Sequence, residues 1–377
     1  MTRWRTFALA SLLAALLAAC TPREAPPTRT FTEEEVVKAV SGLIEDINSI
    51  SDPVLAEIVV ASGQAPVNRP GCPHLENVFD LITFSSDVTD LQTLTTQAGT
   101  MLARGSYYYD PVKDTCNATA DTDKLVFRYS YQASSGKVVE AEVVIDWGTS
   151  TLDVAGPSGD LHEAPTDMNV MVKLNGQSVA DVDVSSSWYN APECGSDEGI
   201  LEPTKVSVSG TIGSLGFTDV GYTLDEDSLN VQGRVEAAAG ISTDLNLSLG
   251  GDLSRSPCFI DSFKTDTGML SVGIDSSIGK DSNRFQLDAT LSDAVFAEFD
   301  VDLGDIMFGT LQGLASVELS DGTLQIDGTA AASFSGTLDD GNGNGVSGEN
   351  VTINFSAGDT TDLESFLTEN DFGLSTP

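Results

Sequence analysis

The sequence predicts a mainly β protein. The strands form an antiparallel meander, closed as a barrel, curled as a half-barrel or folded as a sandwich, with an N-terminal helical segment and a short C-terminal helix. Three observations predict it. From about Tyr107 onward the chain becomes a succession of short runs in which apolar and polar residues alternate, the two-residue period of a half-buried strand. Turn residues punctuate those runs, as in Asn175-Gly176 and Asp321-Gly322. Between the runs no stretch of ten or more residues carries a helical pattern, which a parallel βαβ fold would require.

The elements follow in order along the 377 residues. Met1-Thr2-Arg3-Trp4-Arg5 is a short positive segment, and Phe7 to Leu17 is an apolar run of eleven residues. A membrane-spanning helix needs about 20, so eleven suits the core of a secretory signal peptide. The run ends in Leu17-Ala18-Ala19-Cys20. This resembles the lipobox of bacterial lipoproteins, in which the cysteine is lipidated and the chain is cleaved just before it. The resemblance implies that residues 1–19 are a signal peptide and that Cys20 becomes an acylated N-terminus (palmitate among the chains). Several acyl chains make attachment to a bilayer nearly permanent, at about 0.8 kcal/mol for each buried CH₂. Thr21, rather than Asp, resembles the outer-membrane-directed pattern, so the implied address is the cell envelope, on the periplasmic or surface face of the outer membrane.

Residues 20–31 read as a tether: Pro22, Pro26 and Pro27 and no apolar periodicity. Residues 32–104 read as a helical and mixed segment. Thr32-x-x-Glu35 fits a capping box, and Glu33, Glu34 and Glu35 favour the positive end of a helix dipole. Val36, Val40, Leu43, Ile44 and Ile47 share one face of that helix. Asp52-Pro53 opens a second helix with Val54, Leu55, Ile58 and Val59 as its apolar face and Gly63 as its stop. Acids stand opposite both stripes, so packing on the protein's own sheet is expected rather than a membrane surface. Leu75 to Phe84 reads equally as strand or helix.

Residues 105–377 form the expected β body. Leu125 to Tyr129 and Val138 to Trp147 flank Ser134-Ser135-Gly136. Asn169 to Leu174 and Val179 to Val184 flank Asn175-Gly176, and Val317-x-Leu319 and Leu324-x-Ile326 flank Asp321-Gly322. Val206-x-Val208, Leu229-x-Val231, Leu245-x-Leu247-x-Leu249, Val272-x-Ile274, Phe285-x-Leu287, Phe299-x-Val301-x-Leu303 and Val351-x-Ile353-x-Phe355 continue the alternation. A final helix is expected over Asp362 to Thr368, capped by Thr361-x-x-Glu364. Most of the runs are shorter than the 9–11 residues of outer-membrane strands, and aromatic residues total 7%, too few for interfacial girdles.

Composition limits function. The 57 acidic residues against 18 basic ones leave a net charge of -39, which excludes a nucleic-acid surface or a polybasic membrane contact. Of five cysteines, Cys20 is taken by lipid, leaving Cys72, Cys116, Cys194 and Cys258 as disulfide candidates in an exported chain. Three pairings are open; sequential loops favour Cys72–Cys116 with Cys194–Cys258. Cys72-Pro73-His74 could instead offer two metal ligands.

Chemistry-bearing motifs are sparse. Asp340-Gly341-Asn342-Gly343-Asn344-Gly345 resembles the first half of a calcium loop, with Asp340, Asn342, Asn344 and the out-of-register Glu349 as weak Ca²⁺ ligands. The twelfth position of an EF-hand would be Val351, and the flanks read as strands, so a Gly/Asn hairpin loop competes. There is no G-x-S-x-G, no P-loop and no HExxH, and His162 sits in a Gly- and Pro-rich stretch. Tyr107-Tyr108-Tyr109 and Trp188-Tyr189 could stack on sugars, but alternation puts Tyr107 and Tyr109 together on one face, as core packing needs. The expectation is a non-enzymatic, membrane-anchored envelope lipoprotein, a structural or partner-binding module that needs no cofactor. Its partners would be the bilayer, through lipidated Cys20, and an envelope protein. The alternative is a carrier of lipid or another apolar ligand in a β half-barrel.

Overall fold

The structure is a computed structural model. It describes residues 29–49, 53–66, 69–73, 75, 104–133, 135–148, 151–155, 161–188, 203–237, 240–255, 260–276, 283–292, 317–338, 350–370 and 372. Two helices come first, α1 (Glu33–Ser49) and α2 (Pro53–Gly63). The strands are β1 (Gly105–Asp110), β2 (Thr115–Thr119), β3 (Leu125–Gln132), β4 (Val138–Asp146), β5 (Thr151–Ala155), β6 (Leu161–Pro165), β7 (Asp167–Leu174), β8 (Gln177–Trp188) and β9 (Pro203–Ile212). They continue as β10 (Leu215–Leu224), β11 (Ser228–Ala237), β12 (Ile241–Arg255), β13 (Ile260–Ser276), β14 (Asn283–Ser292), β15 (Val317–Ile326), β16 (Thr329–Leu338), β17 (Val351–Phe355) and β18 (Thr360–Asp362). Helix α3 (Leu363–Glu369) closes the series.

Sixteen of these strands form one sheet in the order β18-β17-β16-β15-β14-β13-β12-β11-β10-β9-β8-β7-β4-β3-β1-β2. The predicted meander is therefore present, as a single sheet that does not close on itself. From β7 to β18 every strand pairs with its chain neighbour. One pair departs from the antiparallel expectation: β1 runs parallel to β3, with Tyr107 opposite Phe127. The β1–β2 hairpin folds outward, which leaves β1 beside β3 in the same direction.

One face of the sheet is apolar across its width. Val206, Tyr222, Val231, Leu247 and Leu270 lie directly opposite one another on five consecutive strands. A bulge in β10 preserves that face. Thr218 and Asp219 both stand opposite Ser209, so one residue is inserted and the side-chain parity shifts. Leu215 and Phe217 before the bulge, and Tyr222 and Leu224 after it, are all buried on the same side. Asp219 takes a left-handed φ of 48°, and its amide donates to Ser209 Oγ at 2.9 Å.

The same bulge divides the core. Leu215 and Phe217 belong to a cluster that includes Ile58 and Ala61 of α2 and the inner face of β3, β4, β7 and β8. Tyr222 and Leu224 belong to a second cluster with Val36, Val40 and Leu43 of α1, the inner residues of β11–β17, and α3. Val208 and Val220 pack against both. Each N-terminal helix thus covers one half of the apolar face.

Local chemistry explains most element ends. The capping box forms as expected, with the Glu35 amide donating to Thr32 Oγ1 and the Thr32 amide to Glu35 Oε2 at 3.1 Å. Phe31 before the cap and Val36 in the first turn are buried in one cluster, a hydrophobic staple. Asn175 and Gly176 turn β7 into β8 with φ values of 52° and 79°, the positive pair of a type I′ hairpin.

Several expectations are corrected. The hairpin between β15 and β16 turns at Asp327-Gly328, not at Asp321-Gly322. The latter pair lies inside β15 at a register shift, where Phe334 crowds Gly322 so closely that a Cβ would collide with it. Both dipeptides carry the turn signal; only the packing of Phe334 chooses between them. The cap of α3 is Asp362 rather than Thr361, its carboxylate accepting from the Ser365 amide at 2.8 Å. Val59 is 39% exposed, so the buried face of α2 is Ile58 and Ala61. His162 lies in β6, opposite Val154 of β5, in a separate two-stranded hairpin rather than a loop.

Candidate functional site

Three places bear on function: the seat of the N-terminal segment, and two grooves on the polar side of the sheet. At the seat, Phe31 is buried in the α1 cluster. Its amide donates to Ser356 Oγ at 2.8 Å, and its carbonyl accepts from the Ala357 amide at 3.0 Å. The Arg29 guanidinium stacks over the Phe31 ring at 4.5 Å and pairs with Glu35 at 3.7 Å. The chain that precedes residue 29 therefore leaves the body at the turn joining β17 to β18.

The first groove encloses about 500 Å³ between Arg234, Glu236, Ser242, Asp275, Arg284 and Asp327. Its cations are already engaged. Arg234 donates to Glu236 at 2.5 Å and to both oxygens of Asp244 at 2.9 and 2.7 Å. The bonds to Glu236 and Asp244 push the Arg234 guanidinium pKa above its ordinary value. Arg284 pairs with Asp275 at 3.6 Å, and its amide donates to Asp327 Oδ1 at 2.9 Å. This is cross-strand charge pairing on a wet face, with no nucleophile and base in contact.

The second groove encloses about 470 Å³ and includes Asp146, Asp167, Asn169, Asp183, Ser207 and Asp219. Asn169 Nδ2 donates to Asp181 at 2.8 Å and to Asp183 at 2.9 Å, which separates the two carboxylates. Lys124 pairs with Asp146, and that bond, ahead of a backbone bond from Gly148, holds the Asp146 carboxyl below its usual range. Arg104 stacks on Trp147 at 5.0 Å and donates to the carbonyls of Asp123 and Gly148. Among the described residues, no group of three His, Cys, Asp or Glu side chains converges on a metal position.

The sequence-predicted residues fall as follows. Cys72 and Cys116 form a disulfide, the first of the two bridges expected. The bond consumes the Cys72 thiolate, so Cys72 and His74 cannot act together as metal ligands. Cys20, Cys194, Cys258, His74 and the loop Asp340, Asn342, Asn344 and Glu349 lie outside the described residues. That loop joins two antiparallel strands, and Val351, the twelfth position of the EF-hand alignment, is fully buried at the start of β17. An EF-hand, which needs flanking helices and a carboxylate there, is ruled out. Tyr107 and Tyr109 pack half-buried against the α2 cluster, with Tyr108 exposed between them.

The Phe31 seat and the Arg234 cluster were missed in the sequence. Phe31 had a local signal, an apolar residue immediately before an N-cap. Arg234 and Asp244 are ten residues apart on different strands, and only the strand register makes them neighbours. Comparison with family models, with curated proteins and with solved structures finds no match.

Proposed function

We propose that this chain is a lipid-anchored, non-enzymatic lipoprotein of the bacterial cell envelope whose β body serves as a structural or partner-binding module. The observation that carries the reading is Leu17-Ala18-Ala19-Cys20 at the end of an eleven-residue apolar run, followed by a Pro-containing tether. The Cys72–Cys116 disulfide supports an oxidising compartment outside the cytoplasm. Among the described residues no helix is long and apolar enough to cross a membrane.

The carrier alternative needs an open apolar interior. What weighs against it is that α1 and α2 each bury residues in one of the two core clusters on the apolar face, and that charged side chains stand in both grooves. Calcium at Asp340, Asn342 and Asn344 would be an accessory, and a thermal melt unchanged by millimolar Ca²⁺ disposes of it.

The deciding experiment is metabolic labelling with a radioactive fatty acid. Label enters the wild-type chain and not Cys20→Ala. Label in neither, or equally in both, overturns the anchor.

A further inference from the structure

We propose that the C-terminal edge of the sheet, made of β17, β18 and α3, is the membrane-facing edge, and that the β1–β2 edge is held away from the bilayer. The inference rests on the lipidated-Cys20 reading and adds to it an orientation.

The geometry begins at Phe31. A hydrogen bond from its amide to the Ser356 hydroxyl, one from the Ala357 amide to its carbonyl, and a buried ring fix it to the Ser356–Ala357 turn. Residues 21–30 are all that separate this seat from Cys20. Ten residues span at most about 35 Å even at full extension. The β17–β18 turn therefore stays within about that distance of the acyl chains. The far edge is fifteen strand spacings away in the sheet order, about 70 Å along the sheet at roughly 4.8 Å each.

Charge sets the direction of the rest of the body. A net charge of -39 is repelled by an anionic bilayer surface over about a Debye length, roughly 10 Å at 0.1 M salt. Every part of the body is free to move away from that surface except the edge held by the tether. The β17–β18 turn, although it carries Asp359, is retained by the tether, and the opposite edge swings out. There the Cys72–Cys116 disulfide and the Cys116 amide's bond to the Pro70 carbonyl tie the 69–72 strap along β2. The strap occupies the Thr115–Cys116 end of that edge strand, which restricts the addition of a further strand there.

The test uses the full, lipidated chain purified from membranes and reconstituted into vesicles of phosphatidylethanolamine and phosphatidylglycerol. Donor dyes are placed by Asp359→Cys at the tethered turn and by Val112→Cys at the β1–β2 turn; both positions are exposed, Val112 at 93%. The wild-type chain, taken through the same labelling, supplies the background from any native thiol. Energy transfer to an acceptor on the lipid headgroups is expected to be several-fold stronger from position 359 than from position 112. Raising the salt concentration should narrow that gap by increasing transfer from position 112 alone. Equal transfer from the two positions, or stronger transfer from 112, overturns the orientation. Flotation with the vesicles separates the two readings: wild type that does not float, or Cys20→Ala that floats equally well, sinks the anchor itself. Floating wild type with the wrong transfer pattern sinks only the orientation.

Discussion

Phe31 and Ser356 lie 325 positions apart in the sequence and are joined by one hydrogen bond, from the Phe31 amide to Ser356 Oγ at 2.8 Å. The bond brings the start of the folded chain to its last β turn. It also positions α1 over the apolar face, since Val36, Val40 and Leu43 follow within three turns. Phe31→Ala is expected to cost about 3–5 kcal/mol, because a buried aromatic ring is removed and its site cannot collapse fully. Ser356→Ala is expected to cost about 1 kcal/mol. Urea unfolding midpoints measure both, and a wild-type midpoint for Phe31→Ala would show that the seat contributes nothing.

Gly336 has a φ of 136°, and a Cβ there would overlap the Asn350 carbonyl oxygen across the β16–β17 pair. Gly336→Ala is expected to lose about 2–4 kcal/mol, combining backbone strain with a displaced strand. Gly176→Ala, in an open turn with no atom near the new methyl, should lose only about 1 kcal/mol. Parallel thermal melts of the two variants decide whether close strand approach, rather than positive φ alone, sets the cost.

Tyr129 and Tyr131 are neighbours on β3 with opposite expectations. Tyr129 donates its hydroxyl to the Ala61 carbonyl at the end of α2, at 2.9 Å. Tyr131 is buried, and its hydroxyl has no hydrogen-bond partner among the described residues. Tyr129→Phe should therefore destabilise by about 1 kcal/mol, and Tyr131→Phe should be neutral or stabilising. Equal losses in denaturant titrations would contradict the assignment.

Glu142 sits between Lys173 at 2.9 Å and Arg128 at 2.6 Å, one on each neighbouring strand. Burial raises its carboxyl pKa, but the bonds from Lys173 and Arg128 outweigh it, and the net effect is a pKa below the ordinary 4.5. The sign follows from linkage. The folded state binds this proton less readily than the unfolded state, so the contribution is complete above pH 4.5 and disappears as pH falls through the depressed folded value. The stability difference between wild type and Glu142→Gln should be constant at pH 6–8 and shrink below about 4.5. Using the difference removes the general relief of repulsion that protonating a chain of net charge -39 brings. A difference that grows on acidification would reverse the assignment.

The Cys72–Cys116 bridge closes a loop of 44 positions and pins the end of the 69–72 strap to β2. Reduction, or the double change to Ser, should lower stability by about 2–4 kcal/mol. With that pair formed, and if the chain is exported as proposed, Cys194 and Cys258 are expected to pair with each other. A non-reducing peptide map should recover the two in one linked fragment; finding both alkylated without reduction refutes the second bridge.

Much of the fold was legible in the chain itself. Alternation of apolar residues marked the strands, and Asn175-Gly176 and Thr32-x-x-Glu35 marked a turn and a cap. These signals depend on neighbours within about four residues. The Asp321-Gly322 error shows the limit of that range, since the deciding atom belongs to Phe334 on the next strand. The candidate grooves were less legible, because Arg234 with Asp244, and Asn169 with Asp183, meet only through strand register.

The amino-acid order determined that the chain is a β meander, that it is strongly acidic, and that its N-terminus is a short basic segment and an apolar run ending in Leu17-Ala18-Ala19-Cys20. Those properties reside in periodicity, composition and one contiguous motif. Only the tertiary structure decided that the sheet stays open, that one bulge at Asp219 splits its apolar face into two cores, and that a separate helix fills each. The reason is that closure and division depend on twist, inserted residues and helix packing summed over sixteen strands, none of which any single segment encodes.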